Sequence, residues 1–242
     1  MRGKPIILLG AGGHAKVLLD ILLGQNAEIL GIAEKDGADR PTGLYGIPVI
    51  GSDSDVGQYA PDKIVLVNGI GSVGSTALRQ KIFEKFKRQG YRFRQVVHPQ
   101  AMVSRRAELG EGVQVMAGAV VNIGTRIREN SIINTNASVD HDCEIGAHVH
   151  IAPGVTLSGG VTVGDGSHIG TGAAVVQGIT VGHHSFVEAG GIVMRNIREY
   201  ERLRAHRGQI IQMSSGGGTS DFIKFYCFLP LDFRRMAKEE AA

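Results

Sequence analysis

From Val97 onward every sixth residue is aliphatic, through Val103, Leu109, Val115, Val121, Ile127 and Ile133 to Val187 and Val193, with no turn missed and no insertion. Four places after each aliphatic position sits a small or slender residue, among them Ala107, Val113, Ala119, Ser131, Ala137, Cys143, Val149, Ala173 and Gly191. A period of six matches neither a heptad nor simple strand alternation, so the stretch reads as a repeat array. Each hexad supplies one short strand with its aliphatic side chain turned inward. The small residue fills a tight corner, and the Gly and Asn between them permit the bend. Stacked rungs bury a continuous aliphatic column that no single rung buries alone. An ordinary β-sandwich with frequent turns predicts no such register.

Ahead of the array the pattern changes. Residues 4–9, KPIILL, read as a buried strand that ends in Gly10-Ala11-Gly12-Gly13-His14-Ala15, followed by a helix with Val17, Leu18, Ile21 and Leu22 on its apolar face. Further strands are expected at 28–33, 47–50, 63–67 and near 93–97, with a second helix over 76–89. This alternation argues a small Rossmann-like parallel α/β domain over residues 1–95, followed without a linker by a β-solenoid over 96–197. An extension over 198–242 completes the chain, with a helix expected at Arg195–Arg207. Its apolar cluster of Phe222, Ile223, Phe225, Tyr226, Phe228 and Leu229 is expected to pack on the body, a neighbouring subunit or a membrane surface.

Composition adds a little. The chain has 35 Gly residues, 16 of them within residues 97–193 where corners need them, and the lack of Trp suits a narrow core. A formal charge of +3 is too weak to argue nucleic-acid binding. Two Cys make no disulfide framework, and Cys143 sits at a small-residue corner, as a buried inert thiol would. The first apolar run is too short for a signal peptide and no stretch reaches the length of a membrane span, so the expected setting is a reduced cytoplasm.

Two places carry candidate chemistry. Gly10, Gly12 and Ala15 fall on the G-x-G-x-x-G/A pattern, whose glycines let a pyrophosphate approach a helix N-terminus, while Glu34 at the end of the second strand is placed for a ribose hydroxyl. The same turn also reads as one that merely packs strand on helix, and the domain is short for two nucleotides. The basic residues from Arg79 through Lys85, Lys87 and Arg88 to Arg94 are expected on a solvated helix face. In the array, the rung Ile133–Cys143 places His141 at an outward corner between Asp140 and Asp142. A His flanked by carboxylates suits a general base near neutral pH, although a loop His is also common surface decoration.

The hexad register, the turn G-A-G-G-H-A-K and the string N-T-N-A-S-V-D-H-D-C-E-I-G resemble the bacterial sugar acyltransferases of NeuD and PglD type over roughly residues 4–195. The resemblance implies a left-handed parallel β-helix, a homotrimer with active sites between subunits, acetyl-CoA as cosubstrate, no metal, and a nucleotide-linked amino sugar, a 4-amino-deoxy sugar above all, as acceptor. It implies that His141 is the general base, that Asp142 holds its imidazole, and that Asn134 is a substrate-side polar residue. His150 matches a residue near the acetyl-CoA thioester. Gly159, three hexads beyond His141, would offer its N–H to the thioester oxyanion. Gly12, Gly13 and His14 match the nucleotide-contacting turn and Gly71 a later nucleotide-side glycine, with Glu34 and Lys35 at the substrate end of the second strand. Relatives that bind uridine nucleotides tend to show paired aspartates where this chain has Glu34-Lys35-Asp36.

Four rival readings remain. O-acetylation of sialic acid or a related sugar belongs to the same family. An NAD(P)-dependent oxidoreductase follows from the glycine turn but leaves the solenoid without a role. Zinc held between subunits would use His150 with His168, or His148 with His184, although solvent-facing His on rung corners is the plainer reading. A non-catalytic scaffold ignores both the nucleotide-like domain and the His141 rung.

Overall fold

The computed structural model describes residues 3–35, 37 and 41–205. Asp36 and the apolar cluster at 222–229 lie outside the described residues. The first part is a five-stranded sheet in the order β3-β4-β2-β1-β5, made of β1 (Ile6–Leu9), β2 (Ile29–Ala33), β3 (Gly43–Leu44), β4 (Ile47–Gly51) and β5 (Val65–Asn68). The strands pair in parallel except β3, which forms a hairpin with β4. That hairpin was not expected. It turns on Tyr45 (φ 50) and Gly46 (φ 82), a two-residue loop with both residues left-handed, whose twist matches that of the strands it joins.

Helices α1 (Gly13–Gly24) and α2 (Ala77–Arg88) flank the sheet. In α1 the buried residues are Ala15, Leu18, Leu19, Ile21 and Leu22, whereas Val17 is 45% exposed. The apolar face is therefore displaced from the expected one, because positions 15, 18, 19 and 22 form the stripe and 17 lies off it.

The solenoid begins at Val96–Val97 and consists of two-residue strands, each paired in parallel with the one three hexads further on. The second residue of each strand points inward: Ile133, Val139, Ile151, Leu157, Ile169 and Val181 are fully buried, with Ala137, Cys143 and Ala173 filling the corners. Every sixth residue from Gly112 to Gly190 adopts a left-handed conformation, with Asn130, Asn136, Asp142, His148 and His184 holding the positions not given to Gly.

The three faces of the coil differ in their outward residues. The first presents Val96, Gln114, Ile132, His150, His168 and Phe186; the second Met102, Val120, Ser138, Thr156, Ala174 and Ile192; the third Glu108, Arg126, Glu144, Thr162 and Thr180. Much of the first face is covered: Val96, Met116 and Ile132 join the α1 core, and Ile132 and Met116 are fully buried. Burial of side chains of that size is worth about 2 kcal/mol each.

Residues 195–205 are not helical. Ile197 bridges Val181, and Arg202–Leu203 pairs with Phe186–Val187. After a four-residue step from Val193, the six-residue spacing resumes from Ile197 to Leu203, and both pack on the aliphatic column. Burial in that column overrides local helix preference.

Candidate active site

His141 stands at the corner after Ser138–Val139, between the second and third faces. Asp142 occupies the left-handed corner position (φ 56), which brings its carboxylate alongside the imidazole: Oδ2 accepts from His141 Nδ1 at 2.8 Å. The rung is braced from below. Asp140 Oδ1 accepts the His141 backbone N–H at 2.7 Å and Asn122 Nδ2 at 3.0 Å, and buried Thr125 donates to the Asp140 carbonyl at 2.7 Å. The Asp142 hydrogen bond foremost, then the charges of Asp140 and Asp142, hold the His141 pKa above the ordinary imidazole value against some desolvation.

With its Nδ1 proton directed at Asp142, neutral His141 presents a lone pair on Nε2. That nitrogen lies over Gly159, where a Cβ would stand 2.5 Å from Nε2 and 2.6 Å from Cε1. Any larger residue there would push the imidazole aside. The Gly159 carbonyl accepts from Gly178 N–H at 3.0 Å, while its own N–H makes no hydrogen bond among the described residues. A basic nitrogen thus stands beside an unused backbone donor, with the His141 side chain half-exposed.

Asn134 and His150 come together elsewhere, at the opposite end of the second face from His141. Asn134 Nδ2 lies 3.0 Å from His150 Nε2, and the other His150 nitrogen meets Ser72 Oγ at 2.5 Å. Ser72 also reaches His168 Nδ1 at 3.1 Å. His148, His150 and His168 are each less than 10% exposed, covered by the loop after β5 and by α2, which corrects the expectation of solvent-facing histidines for these three, while His184 is exposed as expected. Burial pulls the pKa of His150 down to about 2 and that of His168 to about 4, with neighbouring His168, His14 and Arg79 adding to the effect on His150. Among the described residues no group of three or more His, Cys, Asp or Glu is gathered as a metal ion would need.

Arg79 also departs from expectation. It lies buried at the seam between α2 and the coil, donating through Nε to the Asn130 carbonyl (3.0 Å) and through Nη1 to the carbonyls of Asn68 (2.9 Å) and Ile70 (2.7 Å). Burial lowers its pKa to about 9. Those three carbonyls need a donor that reaches across two elements, and the guanidinium fork supplies it. Ser72, Gln114 and Asn130 complete this seam and were not singled out from the sequence. The only sequence signal was the uncharged column of outward residues from Val96 to Phe186 on the first face, which suits a covered surface.

The glycine turn opens onto the carboxyl ends of the parallel strands. A cavity of about 550 Å³ there is lined by Gly10, Glu34, Lys35, Asp53, Ile70 and Lys85, among others. Gly10 is needed for the turn itself (φ 93), and a Cβ on it would meet Ile70. Gly12 and Gly13 have nothing within 4 Å of a built Cβ, so packing does not require glycine at either position. Gly12 caps α1 without a side-chain hydrogen bond and no acidic residue occupies the first turn, which leaves the positive helix end open to an anion.

Glu34 is less free than expected, since its carboxylate accepts the backbone N–H groups of Ala11 and Lys35. Lys35 is exposed at the rim, and Lys85 pairs with Asp53 at 3.1 Å. His14 faces away from this cavity toward the coil. Gln114 Nε2 donates to the Asn68 carbonyl at 2.8 Å, so its Oε1 accepts from His14 Nε2 at 2.7 Å, and burial foremost lowers the His14 pKa to about 4. Gly71 lets His14 pack closely, a Cβ there standing 3.1 Å from the His14 Cβ.

Residues 5–86 match the PglD N-terminal domain, and residues 124–159 match the bacterial transferase hexapeptide (six repeats). The acetyltransferase domain of PglB from Neisseria gonorrhoeae FA1090, solved with acetyl coenzyme A, is 35% identical, with a TM-score of 0.74 over 83% of this chain and 95% of that one. PerB from Caulobacter crescentus, solved with CoA and GDP-perosamine, is 37% identical, with a TM-score of 0.75 over 82% of this chain and 92% of that one. The chain belongs to the PglD-type family of sugar acetyltransferases. A curated member of this family, UDP-N-acetylbacillosamine N-acetyltransferase of Bacillus subtilis (strain 168), is 34% identical over 118 residues, which span 47% of this chain and 52% of that protein.

Proposed function

We propose that this protein transfers an acetyl group from acetyl-CoA to the amino group of a nucleotide-linked amino-deoxy sugar, in the assembly of bacterial surface glycans. The observation that carries the reading is His141 Nε2 standing beside the unused N–H of Gly159, with Asp142 holding Nδ1. The sugar nitrogen attacks the thioester carbon and a C–N bond forms. The Gly159 N–H stabilises the oxyanion, and the C–S bond then breaks. The proton lost by nitrogen passes to His141 Nε2 and from there to the departing thiolate. No covalent enzyme intermediate is required.

In this reading Asn134 and His150 lie at the acceptor and thioester end of the site. Gly12, Gly13, Glu34, Lys35 and Gly71 border the nucleotide, with its phosphates at the α1 N-terminus, and His14 supports the turn from behind. Relatives named as N-acetyltransferases favour nitrogen over oxygen as acceptor. Asn134 and His141 stand at opposite ends of the second face, whose outward residues are apolar or small, with Met102 60% and Ile192 67% exposed. That supports a homotrimer in which a neighbouring copy completes each site. Among the described residues no helix is long and apolar enough to cross a membrane, and the reading sets the protein in the cytoplasm beside its acetyl-CoA.

The test is thiol release from acetyl-CoA with UDP- and GDP-linked 4-amino sugars, 3-amino sugars and free sialic acid, with products identified by mass. Acetylation of one nucleotide-linked amine is the expected result. Transfer only to sialic acid would move the protein to the O-acetyl branch, and silence across the panel would remove the reading.

A further inference from the structure

The hydrogen bonds around Ser72 fix proton positions that the distances alone leave open. Asn134 Oδ1 faces the backbone N–H of Thr135 at 2.8 Å, and a backbone N–H can only donate, so that atom is the oxygen. The amide nitrogen therefore points at His150 Nε2, which must accept. Neutral His150 then carries its proton on Nδ1 and donates to Ser72 Oγ. The Ser72 hydroxyl accepts from His150 and so keeps its one proton, which it donates to His168 Nδ1. Both nitrogens of His150 are thus consumed inside the protein, while the Asn134 amide keeps one N–H without a partner among the described residues.

Ser72 itself is held from the nucleotide side. Its loop leaves β5 and carries Ile70, whose side chain lines the cavity at the glycine turn and whose carbonyl is gripped by buried Arg79. One short segment therefore forms a wall of the nucleotide cavity and the anchor of the His150 ring.

We propose that Ser72 is a positioning residue: by accepting the Nδ1 proton of His150 it locks that imidazole as an acceptor toward Asn134, and so aims the free Asn134 N–H into the acyl-transfer site. The role of Asn134 rests on the acyltransferase reading above; the proton placement on His150 does not. Without the Ser72 hydroxyl, the buried Nδ1 proton loses its acceptor, and the ring escapes that cost by moving the proton to Nε2. Two N–H groups then face each other and the Asn134 amide turns away.

Two measurements test this. In the intact protein labelled with 15N-histidine, long-range 1H–15N spectra should show one buried ring in the Nδ1–H form that is lost in Ser72→Ala and kept in Ser72→Thr. An Nε2–H His150 in the unsubstituted protein would overturn the proposal whatever the substrate proves to be. In the transfer assay, Ser72→Ala should lower kcat about 10-fold with KM for acetyl-CoA within about 2-fold, and Ser72→Thr should restore kcat. An unchanged kcat in Ser72→Ala, or equal losses in both variants, would also overturn it. Absence of transfer by the unsubstituted protein would instead overturn the acyltransferase reading and leave the spectroscopic arm to decide.

Discussion

Gly159→Ala isolates the contact on which the proposed chemistry turns. The new Cβ would stand 2.5 Å from His141 Nε2, whereas ordinary contact begins at 3.4 Å, so the imidazole must retreat by nearly 1 Å. Gly159 is not in the left-handed region, so alanine adds no backbone strain, and its N–H remains to serve an oxyanion. The displaced atom is the end of a half-exposed side chain with solvent to move into. Stability should therefore change by no more than about 0.5 kcal/mol, as for other surface substitutions. A base misplaced by about 1 Å typically costs about 100-fold in rate. Thermal melting and steady-state thiol release would then separate: an unchanged midpoint with kcat down by about two orders of magnitude. Combining the change with His141→Ala tests the route, because a substitution that acts only by moving His141 adds little once His141 is gone. A kcat within about 3-fold of the parent, or full additivity in the double variant, would refute the reasoning.

Two further predictions follow from the proton positions. Asp142→Asn removes the hydrogen bond that does most to raise the His141 pKa, so the acid limb of the kcat/KM profile should move to lower pH while the plateau falls; an unmoved limb would separate that limb from His141. The buried histidines predict acid lability. His14 and His150 titrate at about 4 and about 2 in the folded protein against 6.5 unfolded, so between these values the unfolded chain binds protons that the folded one does not. Stability is complete above 6.5 and is lost as pH falls, by about 4 kcal/mol for the two together on reaching pH 5, with His168, also lowered to about 4, adding a further loss. Denaturant melts at pH 7 and 5 should show this, with a shallower slope in His14→Gln; equal stability at both pH values would contradict it.

The solenoid was legible because a hexad register is a one-dimensional signal: each aliphatic position has one role, and the chain repeats it without insertion. At the His141 rung the flanking aspartates stood out in the sequence, whereas the parts given to Asp142 and Gly159 came from the family resemblance and not from the repeat. The seam was not legible. Arg79 looks like its neighbours Lys81 and Lys85 until the chain folds, and only then do the carbonyls of Asn68, Ile70 and Asn130 converge on it. Ser72 gives no local cue, because its partners His150 and His168 lie far away in sequence and come together through stacking. The segment at 195–205 was missed because its step from Val193 to Ile197 breaks the period before Leu203 restores it.

The central claim is that His141 takes the proton in an acetyl transfer, and His141→Ala tests it most directly when turnover and binding are measured on the same preparation. With a nucleotide-linked amino sugar as acceptor, the account predicts kcat lower by about three orders of magnitude, while the Kd for acetyl-CoA from calorimetry stays within about 2-fold of the parent. Turnover close to that of the parent, with the fold intact, would contradict it.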